Sequence, residues 1–349
     1  MQDDATRGAC APIESSGAAW QGEQHVGRSE VRNLAEKVKV GLTAVVLSVR
    51  QEQPVALVTQ ASGFSPAAAW RLPVGRFSPL EQPSLEAALR EIVHDSAGRE
   101  LGYVEQLLTD YGPSDERLEG AGDGSRQLSV SYLALSRADK APIAGTARWL
   151  DCYDLLPWED FRGGRPSVLT SSILPGLDAW CGVSIGPCEG SQLAGGETPM
   201  SRRERVAVSF GLSGRSWDDQ RVVDRFDLLV EAGLLPGGAP STLPAGDLRL
   251  VAAGLGRLRA KIRYRPVVFE LLPAEFTLFE LQRAVEAVLG PTLHKQNFRR
   301  LVEGTGLVEP TGDVRNNTGG RPAKTFRFRR EVLLERPAPG VHVRPGRAA

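Results

Sequence analysis

Four cysteines in 349 residues leave no room for a dense disulfide framework. Cys10, Cys152, Cys181 and Cys188 also form no CxxC pair of the kind a structural zinc site uses. Long hydrophobic runs are missing as well. No segment approaches the ~18 apolar residues of a membrane span, and the most apolar one, TAVVLSV at Thr43–Val49, has the length of a strand. The opening MQDDATRGAC lacks the basic segment and apolar core of a secretory signal. Net charge is absent too: 42 Lys and Arg offset 42 Asp and Glu. Total charge therefore selects no partner, and any preference must be local. These absences set the expectation of a cytoplasmic protein of two or three domains, with no membrane partner.

What is there falls into segments. Residues 1–37 are polar, small-rich and without periodicity, and are expected to be disordered. In 38–180, VGLTAVVLSV and PVALVTQ are β-branched runs on either side of a polar turn, the pattern of a hairpin. PSLEAALREIVHDSAG reads as a helix capped by Ser84, with Leu85, Ala88, Leu89, Ile92 and Val93 on one face. LSVSYLALS, Leu128–Ser136, alternates and returns the chain to strand. Residues 181–214 are rich in Gly and Ser around GPCEGSQLAGGETP and read as a linker or loop. A helical connector is expected over 215–262, carrying the patterns Asp218–Leu235 and Gly246–Ile262. Residues 263–333 hold helices and a glycine-rich turn between two strand-like stretches, and 334–349 read as a flexible tail.

Within the first of these domains, Gly75 and Glu81 are spaced as in the opening of the Nudix box, G-x5-E. Its second half, R-E-U-x-E-E-x-G, where U is a bulky apolar residue, should follow after seven residues; Arg90-Glu91-Ile92 arrives after eight. His94 and Asp95 replace the paired glutamates, and Ala97 replaces the glycine. A Nudix hydrolase needs hard oxygen ligands for Mg²⁺, and imidazole suits transition metals instead. Three readings of this helix face stand side by side: a metal-dependent hydrolase, a solvated polar face in a retained fold, and a cleft that binds a nucleotide diphosphate without cutting it. No catalytic residue and no metal ligand is assigned. For the third reading the candidates are Arg71, Arg76, Glu81, Arg90, Glu91 and Arg126, the arginines being suited to phosphate.

The last domain carries a second pattern. TLFELQRAVEAVLG has Thr277 three residues before Glu280, a capping box. Its stripe of Leu278, Leu281, Val285 and Val288 predicts a buried face. After Gly290-Pro291 comes TLHKQNFRRLVEGTG, in which Phe298, Leu301 and Val302 should face inward. Two helices across a short turn form a helix-turn-helix, and the second presents Lys295, Gln296, Asn297, Arg299 and Arg300 to base edges or phosphates. The following strand, tip and strand read as a wing, with Arg321 in a GGRP tip and Lys324 behind it. TFRFR alternates apolar and basic, so one face packs while the other meets phosphate. Between Lys261 and Arg330 there are 13 Lys and Arg against 7 Asp and Glu, the local excess that DNA binding requires.

Taken together, the altered Nudix box, GYVEQLLTDYG, HKQNFRRLVE and GGRPAKTFRFRR resemble the Nudix-related transcriptional regulators of NAD metabolism, the NrtR-like family. The length, the inserted segment and the tail resemble its alphaproteobacterial NadQ branch. The resemblance covers roughly 41–136 and 257–330. It implies a mixed α+β and α/β fold class: a Nudix-like α/β/α sandwich domain plus a C-terminal winged helix-turn-helix domain. It further implies a homodimeric repressor of NAD biosynthesis genes on double-stranded operator DNA, with HKQNFRR as recognition helix and GGRPAK as wing. The implied effector is NAD, ADP-ribose or ATP, with no required cofactor. The alternative is a Nudix pyrophosphohydrolase with an appended nucleic-acid-binding module.

Overall fold

The computed structural model describes residues 38–60, 70–113, 126–138, 145–182, 200–235, 243–315 and 322–335. The disordered start expected over 1–37, the centre of the expected linker, Arg321 with its glycine tip, and most of the tail lie outside the described residues.

The expected hairpin is formed by β1 (Val38–Arg50) and β2 (Gln53–Gln60), antiparallel with Leu47 opposite Ala56 and Arg50 opposite Gln53. Gln51 and Glu52 join them at φ 50° and 64°. That is the backbone sign a two-residue hairpin turn needs, here adopted by long side chains in place of the usual Asn-Gly. The sheet continues with β3 (Trp70–Arg71), β4 (Val74–Arg76), β5 (Val104–Pro113), β6 (Arg126–Leu135) and β7 (Ala147–Asp151). Its order is β3-β2-β1-β6-β5, with β4 on β1 and β7 on β2. Most of the buried positions of β1, β2 and β6 are apolar, because both faces of the sheet are covered.

On one face lies α1 (Leu85–Ala97), capped by the Ser84 side chain and closed by Gly98 in the left-handed region. Its Ala88, Leu89, Val93 and Ala97 pack on Leu42, Ala44, Val46, Leu57 and Tyr132. Among the described residues the sheet is followed by α2 (Cys152–Leu155), α3 (Leu174–Gly182), α4 (Arg202–Phe210), α5 (Val222–Glu231) and the longer α6 (Ala245–Tyr264). Two corrections to the sequence reading arise here. The span 181–214 is not only linker, since α4 sits within it, started by a capping box of Ser201 and Glu204. The span 215–262 is more than a connector, since α6 is the second helical layer of the sandwich: Gly254 lies so close to the sheet that a Cβ there would be 2.7 Å from Val45. Its Val251, Leu255, Leu258 and Ile262 share one core with Val45, Leu47, Ala56, Val58 and Leu133.

The C-terminal part contains β8 (Glu275–Thr277), α7 (Leu278–Leu289), α8 (Lys295–Thr305), β9 (Val308–Arg315), β10 (Ala323–Phe328) and α9 (Val332–Glu335). The strands order as β8-β10-β9. The architecture is thus a Nudix-like sandwich followed by a winged helix. The tail expected from 334 begins inside α9. Apolar side chains of both parts, from Val45 to Phe326, belong to a single cluster.

A buried ion triad links the two parts. Glu159, with none of its surface exposed, accepts from Arg225 Nε at 2.6 Å and Nη2 at 2.9 Å, and from Arg259 Nη1 at 2.6 Å. Burial alone would raise the Glu159 carboxyl, but the two guanidiniums outweigh it and hold it below the usual carboxylate range. Arg259 also donates to the carbonyl of Val288 at 2.9 Å, and the Tyr153 hydroxyl donates to that of Ala287 at 2.7 Å. Residues from the first domain and α6 therefore cap the last turn of α7, whose terminal carbonyls lack helical partners.

Candidate functional site

Start from α7. Thr277 and Glu280 close the expected capping box, each side chain meeting the other's backbone N–H. Leu278, Leu281, Val285 and Val288 are buried as their spacing predicted. Gly290, at φ 97°, ends the helix. The turn that follows is clamped from below by Glu286, which is 4% exposed. It accepts from the Leu293 N–H at 2.8 Å and from the Gln282 amide at 2.8 Å, while that amide also reaches the Leu293 carbonyl at 2.9 Å. Leu293 lies two residues before α8, so this clamp fixes where the second helix begins. Sequence reasoning missed it. The signal available was a glutamine and a glutamate one turn apart, beside an otherwise apolar stripe.

On α8, Phe298 and Val302 are buried and Leu301 is half-buried, so the inward face is the expected one. Lys295, Gln296, Asn297, Arg299 and Arg300 are all exposed. Arg299 lies 3.4 Å from Glu303 and Arg300 lies 3.5 Å from Asn297, long contacts between solvated groups. Such pairs are weakly held and are readily exchanged for a phosphate or a base edge. His294 supplies no side-chain cap to α8. The first N–H groups of this helix therefore add a favourable field for an anion.

The wing packs through β10. Thr325 and Phe326 are buried, and Phe328 stacks on Phe269 with ring centroids 4.5 Å apart. Arg327 is exposed, as the alternation predicted; Lys324 is exposed too, although alternation would set it on the side of Phe326, because the strand register shifts between Lys324 and Phe326. Arg327 is paired with Glu309 at 2.6 Å, and Arg315 with Glu280 at 2.7 Å. The second pair ties the wing to the start of α7. Lys324 is the predicted wing residue that the structure describes beside α8's exposed set; Arg321 lies outside the described residues.

The predicted ligand face divides. Gly75 packs against Ile92 so tightly that a Cβ would fall 2.6 Å from its Cδ1, which seats the β4 loop on α1. The Gln82 amide staples the same loop, accepting from Ser78 N at 2.9 Å and donating to Glu91 at 2.7 Å. Arg76 and Glu81 flank this loop and Glu91 is tied to it through Gln82, all three exposed. Arg90 points elsewhere: it pairs with Glu86 at 2.8 Å and donates to the carbonyls of Leu101 and Gly102. Arg71 is held by Asp247 of α6 at 3.0 Å, with the same carboxylate taking the Leu72 N–H at 2.9 Å. Arg126 lies over the Tyr111 ring at 5.4 Å, at the start of β6.

For the divalent ion that Nudix chemistry uses, the sequence pattern leaves a mixed donor set on this face. His94 stands where a carboxylate would be and is paired with Glu100 at 3.1 Å. Glu91 is bound to Gln82. Among the described residues no three of His, Cys, Asp and Glu come together as a metal site. Nor is any described helix long and apolar enough to cross a membrane.

Comparison with known proteins places the C-terminal domain. Residues 268–328 match the family model of the NrtR DNA-binding winged helix domain. A curated relative, the ADPR responsive transcriptional repressor NtrR of Acinetobacter baylyi, is 42% identical over 79 residues, which is 23% of this chain and 31% of the relative. The chain therefore aligns with about a third of that relative's length. The crystal structure of Shewanella oneidensis NrtR complexed with a 27mer DNA superposes with a TM-score of 0.51 at 20% identity, covering 84% of this chain and 95% of that one. The same protein without DNA gives 0.50 at 19% identity, with the same coverage. These two likenesses extend the shared fold over both domains.

Proposed function

We propose that this chain, whose residues 268–328 form a winged helix of the NrtR type, is a ligand-responsive transcriptional repressor of NAD biosynthesis genes. The observation that carries it is the exposed set Lys295, Gln296, Asn297, Arg299 and Arg300 on α8, with Lys324 of the wing exposed as well. α8 enters the major groove of operator DNA, Arg299 and Gln296 or Asn297 meet base edges, and Lys324, Arg300 and Arg321 meet phosphates. Two copies acting as a homodimer would match half-sites about 34 Å apart.

In this reading the Nudix-like domain senses and does not cut. The effector is ADP-ribose, to which the curated relative from Acinetobacter baylyi responds, with NAD and ATP as competitors to be compared. Arg76, Glu81 and Glu91, all exposed, are the leading members of the ligand face, and Arg71, Arg90 and Arg126 take part by releasing or sharing their present partners. The donor set on α1 supports binding over hydrolysis, because an imidazole and a retracted carboxylate serve Mg²⁺ poorly.

Footprinting on the chain's own promoter region tests the reading. A protected pair of half-sites whose occupancy changes with ADP-ribose is expected. Brisk cleavage of ADP-ribose with Mg²⁺, lost in Glu91→Gln, together with no footprint at moderate salt, would favour the pyrophosphohydrolase instead.

A further inference from the structure

The clamp beneath the recognition helix is connected to the sheet of the first domain. Glu286 holds the Leu293 N–H through Oε1, and its Oε2 accepts from Arg283 Nη1 at 2.9 Å. A carboxylate with only 5% of its side chain exposed needs that cation. The other arm of Arg283, Nη2, pairs with the carboxylate of Glu52, 231 residues away in sequence, at the tip of the β1–β2 hairpin. The hairpin tip is itself held at two points, because Arg162 donates to the Glu52 carbonyl at 3.2 Å. Gln51 and Glu52 both keep a positive φ. For residues with a β-carbon this conformation is costly and persists where surrounding contacts enforce it.

We propose that Arg283 is a positioning residue for the recognition helix, through which the β1–β2 hairpin tip sets how firmly the start of α8 is held. The inference deepens the DNA-binding reading of α8 and rests on it for its functional meaning. The chain of contacts runs from the sheet that carries the ligand face, through Glu52, Arg283 and Glu286, to the backbone of Leu293. β1 pairs directly with β4, where Thr43 lies opposite Val74 and Gly41 opposite Arg76. A ligand that shifts β4 or β1 therefore has a route to the helix without any contact with DNA. Coupling of this kind needs the ligand to favour one of two arrangements of the link. Formation and release of the Glu52–Arg283 pair supplies two such arrangements. With side chains 49% and 39% exposed, the pair is screened and its effect is modest. That is suited to a bias and not to a lock.

The test is amide hydrogen exchange at Leu293 in the full-length protein, alongside operator binding. Glu52→Gln should speed exchange at Leu293 about two- to fivefold, the range of an exposed pair, and leave α6 unchanged. Arg283→Met should speed it more, and Arg283→Lys should restore part of the protection. Operator affinity should fall in the same order. Unchanged exchange at Leu293 in Glu52→Gln, or a uniform rise along the whole chain, would overturn the proposal. A wild-type protein that ignored DNA would instead defeat the DNA-binding reading, and the exchange result would still decide the clamp.

Discussion

Replacing Glu159 by glutamine keeps the shape of the side chain and removes the charge that two buried guanidiniums share. Three charge-assisted bonds converge on this carboxylate, at 2.6, 2.9 and 2.6 Å. Each such bond contributes about 1.5–3 kcal/mol net. Glutamine keeps one acceptor oxygen and turns an N–H₂ towards groups that are also donors. The greater cost is that Arg225 and Arg259, 0% and 1% exposed, keep buried charges without a counter-ion. Breaking a buried pair from one side costs about 3–5 kcal/mol. Glu159→Gln should therefore lose that much stability in urea unfolding at neutral pH. The pH dependence has a definite sign. The Glu159 carboxyl is held low in the folded state. Its contribution is thus complete above the unfolded carboxylate value, about 4.3, and is lost as pH falls through the lower folded value. The gap between wild type and variant should close only in that acid range. A loss under about 1 kcal/mol at pH 7, the range of an exposed pair, would refute the reasoning.

Three further outcomes are expected. Arg299→Ala should weaken operator binding by about 1–3 kcal/mol and relax base preference at one position; unchanged affinity would remove it from the reading set. Lys324→Ala should lower affinity evenly across sequences and reduce the salt slope by about one, and a loss confined to one base pair in a competition assay would contradict a phosphate role. Gly75→Ala should cost about 1–3 kcal/mol by overpacking, because the new methyl meets Cγ1 and Cδ1 of Ile92, both at 2.6 Å, and Ile92→Ala in the same chain should cost less on top of Gly75→Ala than it does in the wild type, as the clash is removed with it.

Local signals were legible in the sequence. Ser84 and Gly98 bound α1, and Thr277 with Glu280 starts α7, because capping depends on residues within one turn. The same kind of signal, Ser201 with Glu204, was present in the glycine-rich span, but composition masked it and α4 was missed. The inward face of α8 followed from periodicity. What periodicity cannot carry is pairing at long range. Arg71 meets Asp247 across 176 residues and Arg259 meets Glu159 across 100. No local rule distinguishes these arginines from the exposed ones such as Arg299 and Arg300. The same limit explains α6: its helix was evident, but only the close approach of Gly254 to Val45 makes it a layer of the sandwich.

The most direct measurement is fluorescence anisotropy of the full-length protein on a duplex from its own promoter, with unrelated duplex as competitor, at moderate salt and with ADP-ribose titrated in. Selective binding that changes as ADP-ribose is added, without consumption of the nucleotide, is the predicted result. Binding no tighter than to unrelated DNA, with ADP-ribose hydrolysed in the same tube, would contradict it.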